Sequence, residues 1–197
     1  SGGLDVPALL ALDRAAMQDF WRDFIGLLGA IGRCPVPVVA AITGHSPAGG
    51  AVLAIFCDYR VMARATDPAK PYRIGLNEVQ IGMTMHHVGI ELARDRLRKS
   101  YFNRSVINAE MFDPQDAVKA GFLDAVVAPE ELMPAALAMA EQMKKLNMTA
   151  HANTKVKIAV AKRPARHIGN TTCHSTCHGV RPSTSAAIDA AASDGSI

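Results

Sequence analysis

Long apolar runs are missing from this 197-residue chain: no stretch of about eighteen apolar residues occurs, so no membrane span is expected. The opening residues carry no signal-peptide pattern. Cysteine is scarce and scattered. Cys34, Cys57, Cys173 and Cys177 form no disulfide framework, which points to a reducing compartment, most simply the cytoplasm. Charge of one sign is scarce too. A net charge of +3 calls for neither nucleic acid nor an anionic membrane as partner. Basic residues do gather at Arg94, Arg96, Arg98 and Lys99, interrupted by Asp95, where a solvated helix face is expected. A second group, between 155 and 162, could meet an anionic group, yet it lacks the interleaved aromatics that stack bases.

Apolar residues are plentiful. At 49% of this length they suffice for one well-buried domain. Leu9, Leu10, Met17, Phe20, Trp21, Phe24, Leu27, Leu28 and Ile31 fall near helical spacing and predict one amphipathic helix from 7 to about 32. Asp5 is its start signal and also a weaker candidate for direct chemistry; Pro35 and Pro37 end the helix. A buried strand is predicted over 38–42, a helix over 51–56 and another strand over 59–63. Strands alternating with helices predict an α/β domain.

Further along, the pattern turns helical. One helix is predicted from 88 to about 103, and a short one opens at Asp113 and Pro114 and ends before Gly121. Val126 and Val127 read as a brief extended segment. A helix from about 130 to 146 carries Leu132, Ala136, Leu137, Ala140 and Met143 on one face, with the methionines as core filling. The expected organisation is therefore an α/β core over 1–87, a helical region over 88–163 and a low-complexity tail over 164–197. In the tail, the spacing of Cys173, His174, Cys177 and His178 fits neither a zinc pair nor covalent haem. No metal is expected, and the tail reads as a flexible segment or an altered reading frame.

The most informative stretch is Pro37-Val38-Val39-Ala40-Ala41-Ile42-Thr43-Gly44-His45-Ser46-Pro47-Ala48-Gly49-Gly50, continuing into a small-residue helix. A strand, a tight loop and a helix N-terminus follow one another. Backbone N–H groups at such a helix start point outward and can hold an oxygen that becomes anionic in a transition state. Gly49 and Gly50 could equally serve close packing of helix on strand.

Gly44 to Gly50, then Cys57-Asp58-Tyr59-Arg60, then Gly75-Leu76-Asn77-Glu78 with Gly82, resemble the enoyl-CoA hydratase/isomerase (crotonase) family. Ser1-Gly2-Gly3-Leu4-Asp5 is similar to the end of that family's other loop, and 116–124 to the segment after its catalytic core. The resemblance covers residues 1 to about 160. It implies the crotonase fold, a repeated ββα core with a helical C-terminal region, and assembly as trimers or hexamers. It also implies strands and a helix ahead of Ser1, so the chain is expected to be an N-terminally incomplete member.

The resemblance further implies an acyl-CoA thioester substrate whose carbonyl oxygen is held by the backbone N–H groups of Leu4 and Gly49. No cofactor is expected beyond the coenzyme A carried on the substrate. Hydratases of the family carry glutamates at the positions of Val52 and Glu78. Valine cannot titrate, so Glu78 is left as the one base, a pattern similar to the Δ3,Δ2-enoyl-CoA isomerases. An apolar pocket would raise its pKa toward the range of proton shuttling. Gly3, His45, Ala48, Val52, Gly75, Gly82 and His86 are candidates to line the substrate, with loop packing as the other reading of His45 and a second acid/base role open to His86 and His87. Asp58 is expected to anchor backbone or pair with Arg60. Hydration of a 2-enoyl-CoA and a non-catalytic acyl-CoA-binding role are the alternatives.

Overall fold

The computed structural model describes residues 1–161; the tail over 164–197, with Cys173, His174, Cys177 and His178, lies outside the described residues. The chain starts with a helix, α1 (Val6–Leu10), because the Asp5 side chain accepts the Ala8 N–H at 3.1 Å and Pro7 sits in the first turn. The predicted single helix over 7–32 is in fact two. Asp13 accepts the Ala16 N–H at 2.8 Å and starts a second helix, α2 (Arg14–Arg33). Its Met17, Trp21, Phe24 and Leu28 form one buried stripe.

The sheet is parallel, in the order β1 (Val39–Ile42), β3 (Tyr59–Ala63), β5 (Ala125–Val127), with Val39 opposite Tyr59 and Val61 opposite Ala125. Helix α3 (Gly49–Phe56) makes the crossover from β1 to β3. Two short segments, β2 (Ser46–Pro47) and β4 (Ile74–Gly75), pair in parallel beside it, and Ile74 also bridges antiparallel to Phe112.

The helical half corrects two further expectations. The helix predicted over 88–103 is split into α4 (His87–Arg96) and α5 (Lys99–Val106). Leu97 turns into the core at the break, and the Arg98 N–H donates to the Ala120 carbonyl at 3.0 Å. Helix α6 (Pro114–Ala120) is capped by Asp113 and stops at Gly121, φ 100°, where a Cβ would lie 2.7 Å from the Arg96 carbonyl oxygen. Helix α7 (Leu132–Met143) buries Leu132 and Ala136 against β1 and β3. Leu137, expected on that face, is 60% exposed, being five residues from Leu132 and so well round the helix.

The final described helix, α8 (Met148–Ala161), lies against α2. Here the basic run is not a free anion site at Lys155: its Nζ pairs with Asp58 Oδ2 at 2.7 Å, both side chains nearly buried. Asp58 also accepts the Val38 N–H at 2.8 Å. Asp58 thus anchors backbone as expected but does not pair with Arg60. The Arg60 guanidinium forks onto Asp124, with both contacts at 2.8 Å, and donates to the Gly121 carbonyl. One core cluster draws on Leu9, Trp21, Ile55, Leu92 and Phe122, so it runs without a break across position 88. No helix among the described residues is long and apolar enough to cross a membrane.

Candidate active site

The glycine loop is clamped before it becomes a helix. The Ser46 N–H donates to the Arg73 carbonyl at 2.8 Å and the Ala48 N–H to the Gly75 carbonyl at 2.9 Å. Ala48 then takes φ 44°, ψ −119°, a conformation its Cβ disfavours, and α3 starts on the next residue. Gly50 has no room for a side chain: a Cβ would sit 2.7 Å from the Ser1 carbonyl oxygen and 2.8 Å from Ser46 Oγ. The first residues of the chain therefore lie directly on this loop. Gly3, φ 94°, packs against Ala48 Cβ and the Pro47 carbonyl, and a Cβ on Gly49 would meet Leu4 Cγ at 3.4 Å. Among the described residues, neither the Leu4 nor the Gly49 N–H finds an acceptor.

Beside these donors is a cavity of about 160 Å³. Leu4, Ala48 and Gly49 form one side, with Val52 projecting from α3. Trp21 and Phe24 of α2 form an aromatic wall, and Ile81, Met83 and Thr84 close it from the loop after Glu78. Glu78 enters at the start of a 3-10 turn (Val79–Ile81) and is only 6% exposed. Burial pushes its carboxyl pKa up to about 6, with a backbone hydrogen bond opposing the rise. It is the only carboxylate on the cavity wall among the described residues.

His86 is the other titratable group there. It caps α4: its Nδ1 accepts the Gly89 N–H at 2.9 Å, so the neutral ring carries its proton on Nε2. Gly89 permits this fold-back, since a Cβ would lie 2.6 Å from Met85 Sδ and 3.0 Å from His86 Cε1. The ring meets Trp21 and Phe24 edge-on, with centroids 6.0 and 6.4 Å away, and burial lowers its pKa. Trp21 Nε1, Asn77 Oδ1 and Glu78 Oε2 are all buried with no hydrogen-bond partner among the described residues. All three belong to residues that line the same largely apolar cavity, and convergent polar groups in an apolar pocket are a mark of ligand sites.

The structure thus brings Leu4, Ala48, Gly49, Val52, Glu78 and His86 to one cavity. Four expected lining residues are elsewhere. Gly3 packs in the loop contact, and Gly75 offers only its carbonyl, to Ala48. His45 is exposed: its Nδ1 accepts the Arg73 N–H at 3.1 Å and its ring meets Tyr72 edge-on at 5.4 Å. Gly82, φ 79°, borders a neighbouring groove instead. Trp21, Phe24, Asn77 and Met83 also line the cavity, and sequence reasoning misses them as site residues. For the two aromatics the only signal is the apolar stripe of α2, which also describes ordinary core; for Asn77 it is adjacency to Glu78. Among the described residues, no group of three His, Cys, Asp or Glu is placed to hold a metal ion.

Comparison with known proteins gives consistent results. The family model for enoyl-CoA hydratase/isomerase matches residues 1–180. The mitochondrial enoyl-CoA delta isomerase 1 of Mus musculus is 33% identical over 132 residues, covering 67% of this chain and 44% of that protein. An enoyl-CoA hydratase/isomerase family protein from Pseudomonas syringae is structurally similar, with a TM-score of 0.76 at 46% identity, over 98% of this chain and 72% of that one. An enoyl-CoA hydratase from Mycobacterium ulcerans superimposes with a TM-score of 0.75 at 30% identity, over the same 98% and 72%. The chain spans about half the length of the curated relatives it matches.

Proposed function

The chain belongs to the enoyl-CoA hydratase/isomerase family and carries its crotonase fold, and within that family we propose that it is an enoyl-CoA isomerase. The observation that supports this reading is the single buried carboxylate, Glu78, in a cavity where the facing α3 position is Val52. One mobile carboxylate suffices to move a double bond. Glu78 removes a proton from C2 of a 3-enoyl-CoA, and the electron pair delocalises onto the thioester oxygen as a dienolate. The same carboxyl returns the proton at C4, leaving the double bond between C2 and C3.

The Leu4 and Gly49 N–H groups would hold the developing oxyanion, favouring the dienolate over the neutral thioester. The reading needs no cofactor, because coenzyme A travels with the substrate. Hydration would require a second proton-handling group. His86 is poorly suited to that role, because protonating Nδ1 would break its bond to the Gly89 N–H. Assembly as a trimer or hexamer is part of the same proposal.

Separate assays on a 3-enoyl-CoA and a 2-enoyl-CoA test the reading. Glu78→Gln is expected to cut isomerisation by roughly a hundredfold or more. An unchanged rate in that variant would sink the one-base mechanism, and robust hydration by the unaltered chain would overturn the assignment. Acyl-CoA binding with neither reaction would make the chain a binding module.

A further inference from the structure

The two N–H groups proposed to hold the thioester oxygen share a backbone feature. Each belongs to the residue after one of positive φ: Leu4 follows Gly3 at 94°, and Gly49 follows Ala48 at 44°. Glycine takes such an angle freely, and alanine does not. With ψ −119°, Ala48 lies near the first central position of a type II′ turn, where glycine is the usual residue. Its backbone is held from both sides. The N–H donates to the Gly75 carbonyl at 2.9 Å, and the carbonyl accepts the Val52 N–H, also at 2.9 Å. That carbonyl and the Gly49 N–H belong to one planar peptide unit and point in opposite directions. Because the carbonyl is turned along α3 to Val52, the Gly49 N–H points away from the helix.

The Ala48 methyl group stands between the loops that carry the two donors. It lines the catalytic cavity, and a Cβ on Gly3 would meet it at 3.4 Å, ordinary van der Waals contact. A hydrogen in its place would leave a gap there and widen the range of φ and ψ open to residue 48. We propose that Ala48 is a positioning residue: its methyl group wedges the first loop against the glycine loop and fixes the aim of the Gly49 N–H, and the fold is less stable for it. The strain at Ala48 is thereby part of the site. This rests on the acyl-CoA reading of the cavity but not on Glu78 being the base. The chain carries its own control. Ala109 is the other non-glycine residue of positive φ among the described residues, at 51°, buried and on the wall of neither cavity.

Infrared spectra of butyryl-CoA with an isotope-labelled thioester carbonyl, bound to the full chain, read the donors without turnover, since a saturated chain does not isomerise. Binding to the native chain should move the carbonyl stretch to lower frequency, because hydrogen bonds to the oxygen weaken the C=O bond. Ala48→Gly should lose most of that displacement while resisting urea better than the native chain. Ala48→Ser, which keeps a Cβ, should retain the displacement. Ala109→Gly should also gain resistance to urea, yet leave the stretch at its native position. On a 3-enoyl-CoA, Ala48→Gly should lower kcat by roughly tenfold with KM nearly unchanged, less than the hundredfold or more of a donor removed outright. A native stretch in Ala48→Gly, or an equal loss in Ala109→Gly, overturns the proposal. So does a loss in Ala48→Gly joined to weaker resistance to urea, which would make the methyl group ordinary packing. Butyryl-CoA bound to the native chain with its stretch undisplaced likewise overturns it. Failure of the native chain to bind butyryl-CoA would instead refute the acyl-CoA reading itself.

Discussion

At the scale of single residues, the proposed isomerisation would couple Glu78 to pH. As its base, Glu78 would have to be ionised to take a proton from C2, and burial pushes its pKa up to about 6. The rate constant kcat/KM should rise with pH through about 6 and level off above it; a profile flat from pH 5 to 8 would contradict this. The same shift has a stability cost of definite sign. The folded pKa is raised above 4.5, so the protonated form is favoured by folding, and stability is lost as pH rises through about 6. Glu78→Gln should accordingly gain up to about 2 kcal/mol at neutral pH, with the gain vanishing below about pH 4.5. Urea unfolding at about pH 4 and about pH 7.5 measures both.

The residues that sequence can single out are those whose type is chemically limiting. Glu78 beside Asn77 in the ordered set of motifs, Val52 one turn beyond Gly49, and the glycine pair itself are legible in this way. Residues whose type is common to core and site are not. Trp21 and Phe24 are spaced as any buried helix stripe, and their place on the cavity depends on how α2 lies across α3. Lys155 reads from sequence as one member of a basic run, and its pairing with Asp58 spans 97 positions, beyond any local pattern.

At the scale of elements, the helix N-terminus of α3 is the strained part. Ala48 holds φ 44° only because its N–H is bound to Gly75 and its neighbours are paired in β2 and β4. Such a conformation costs an alanine roughly 1–3 kcal/mol, whereas glycine accepts it for a smaller entropic loss. Ala48→Gly should therefore stabilise the chain by about 1 kcal/mol, against the usual direction for that substitution; a loss in urea-unfolding free energy would refute the strain. Helix α8 is held differently. Lys155→Met would leave Asp58 buried beside Val38 without its cation and should cost about 3 kcal/mol. Replacing Asp58 by Asn as well should recover part of that loss, a double-mutant cycle read by thermal unfolding.

Element boundaries are the less legible part of the fold, for a physical reason. Apolar residues continue across both breaks, as the exposed Leu10 and Leu12 at the first and the buried Leu97 at the second, so the sequence pattern does not pause where the axis turns. Asp13 is the cap that marks the first break, but an aspartate inside a periodic run also reads as an exposed helix position. The second break is decided at a distance, by the Arg98 N–H bonding to Ala120.

At the scale of the whole molecule, the parallel sheet, the helices over it and the helical half share one apolar cluster. Leu9 and Trp21 of the first helices meet Leu92 and Phe122 of the second half within it. The described residues should therefore unfold in a single transition, with calorimetric and van't Hoff enthalpies in agreement. Two resolved transitions would show that the halves on either side of residue 88 are independent.

The aromatic wall of the cavity contains the chain's single tryptophan, Trp21, with its indole N–H buried and unpartnered among the described residues. Indole emission responds to polarity and hydrogen bonding around the ring, and every photon from an indole in this chain comes from that wall. The fold thus contains its own fluorophore in the wall of the cavity, one whose colour and intensity should report occupancy without any label.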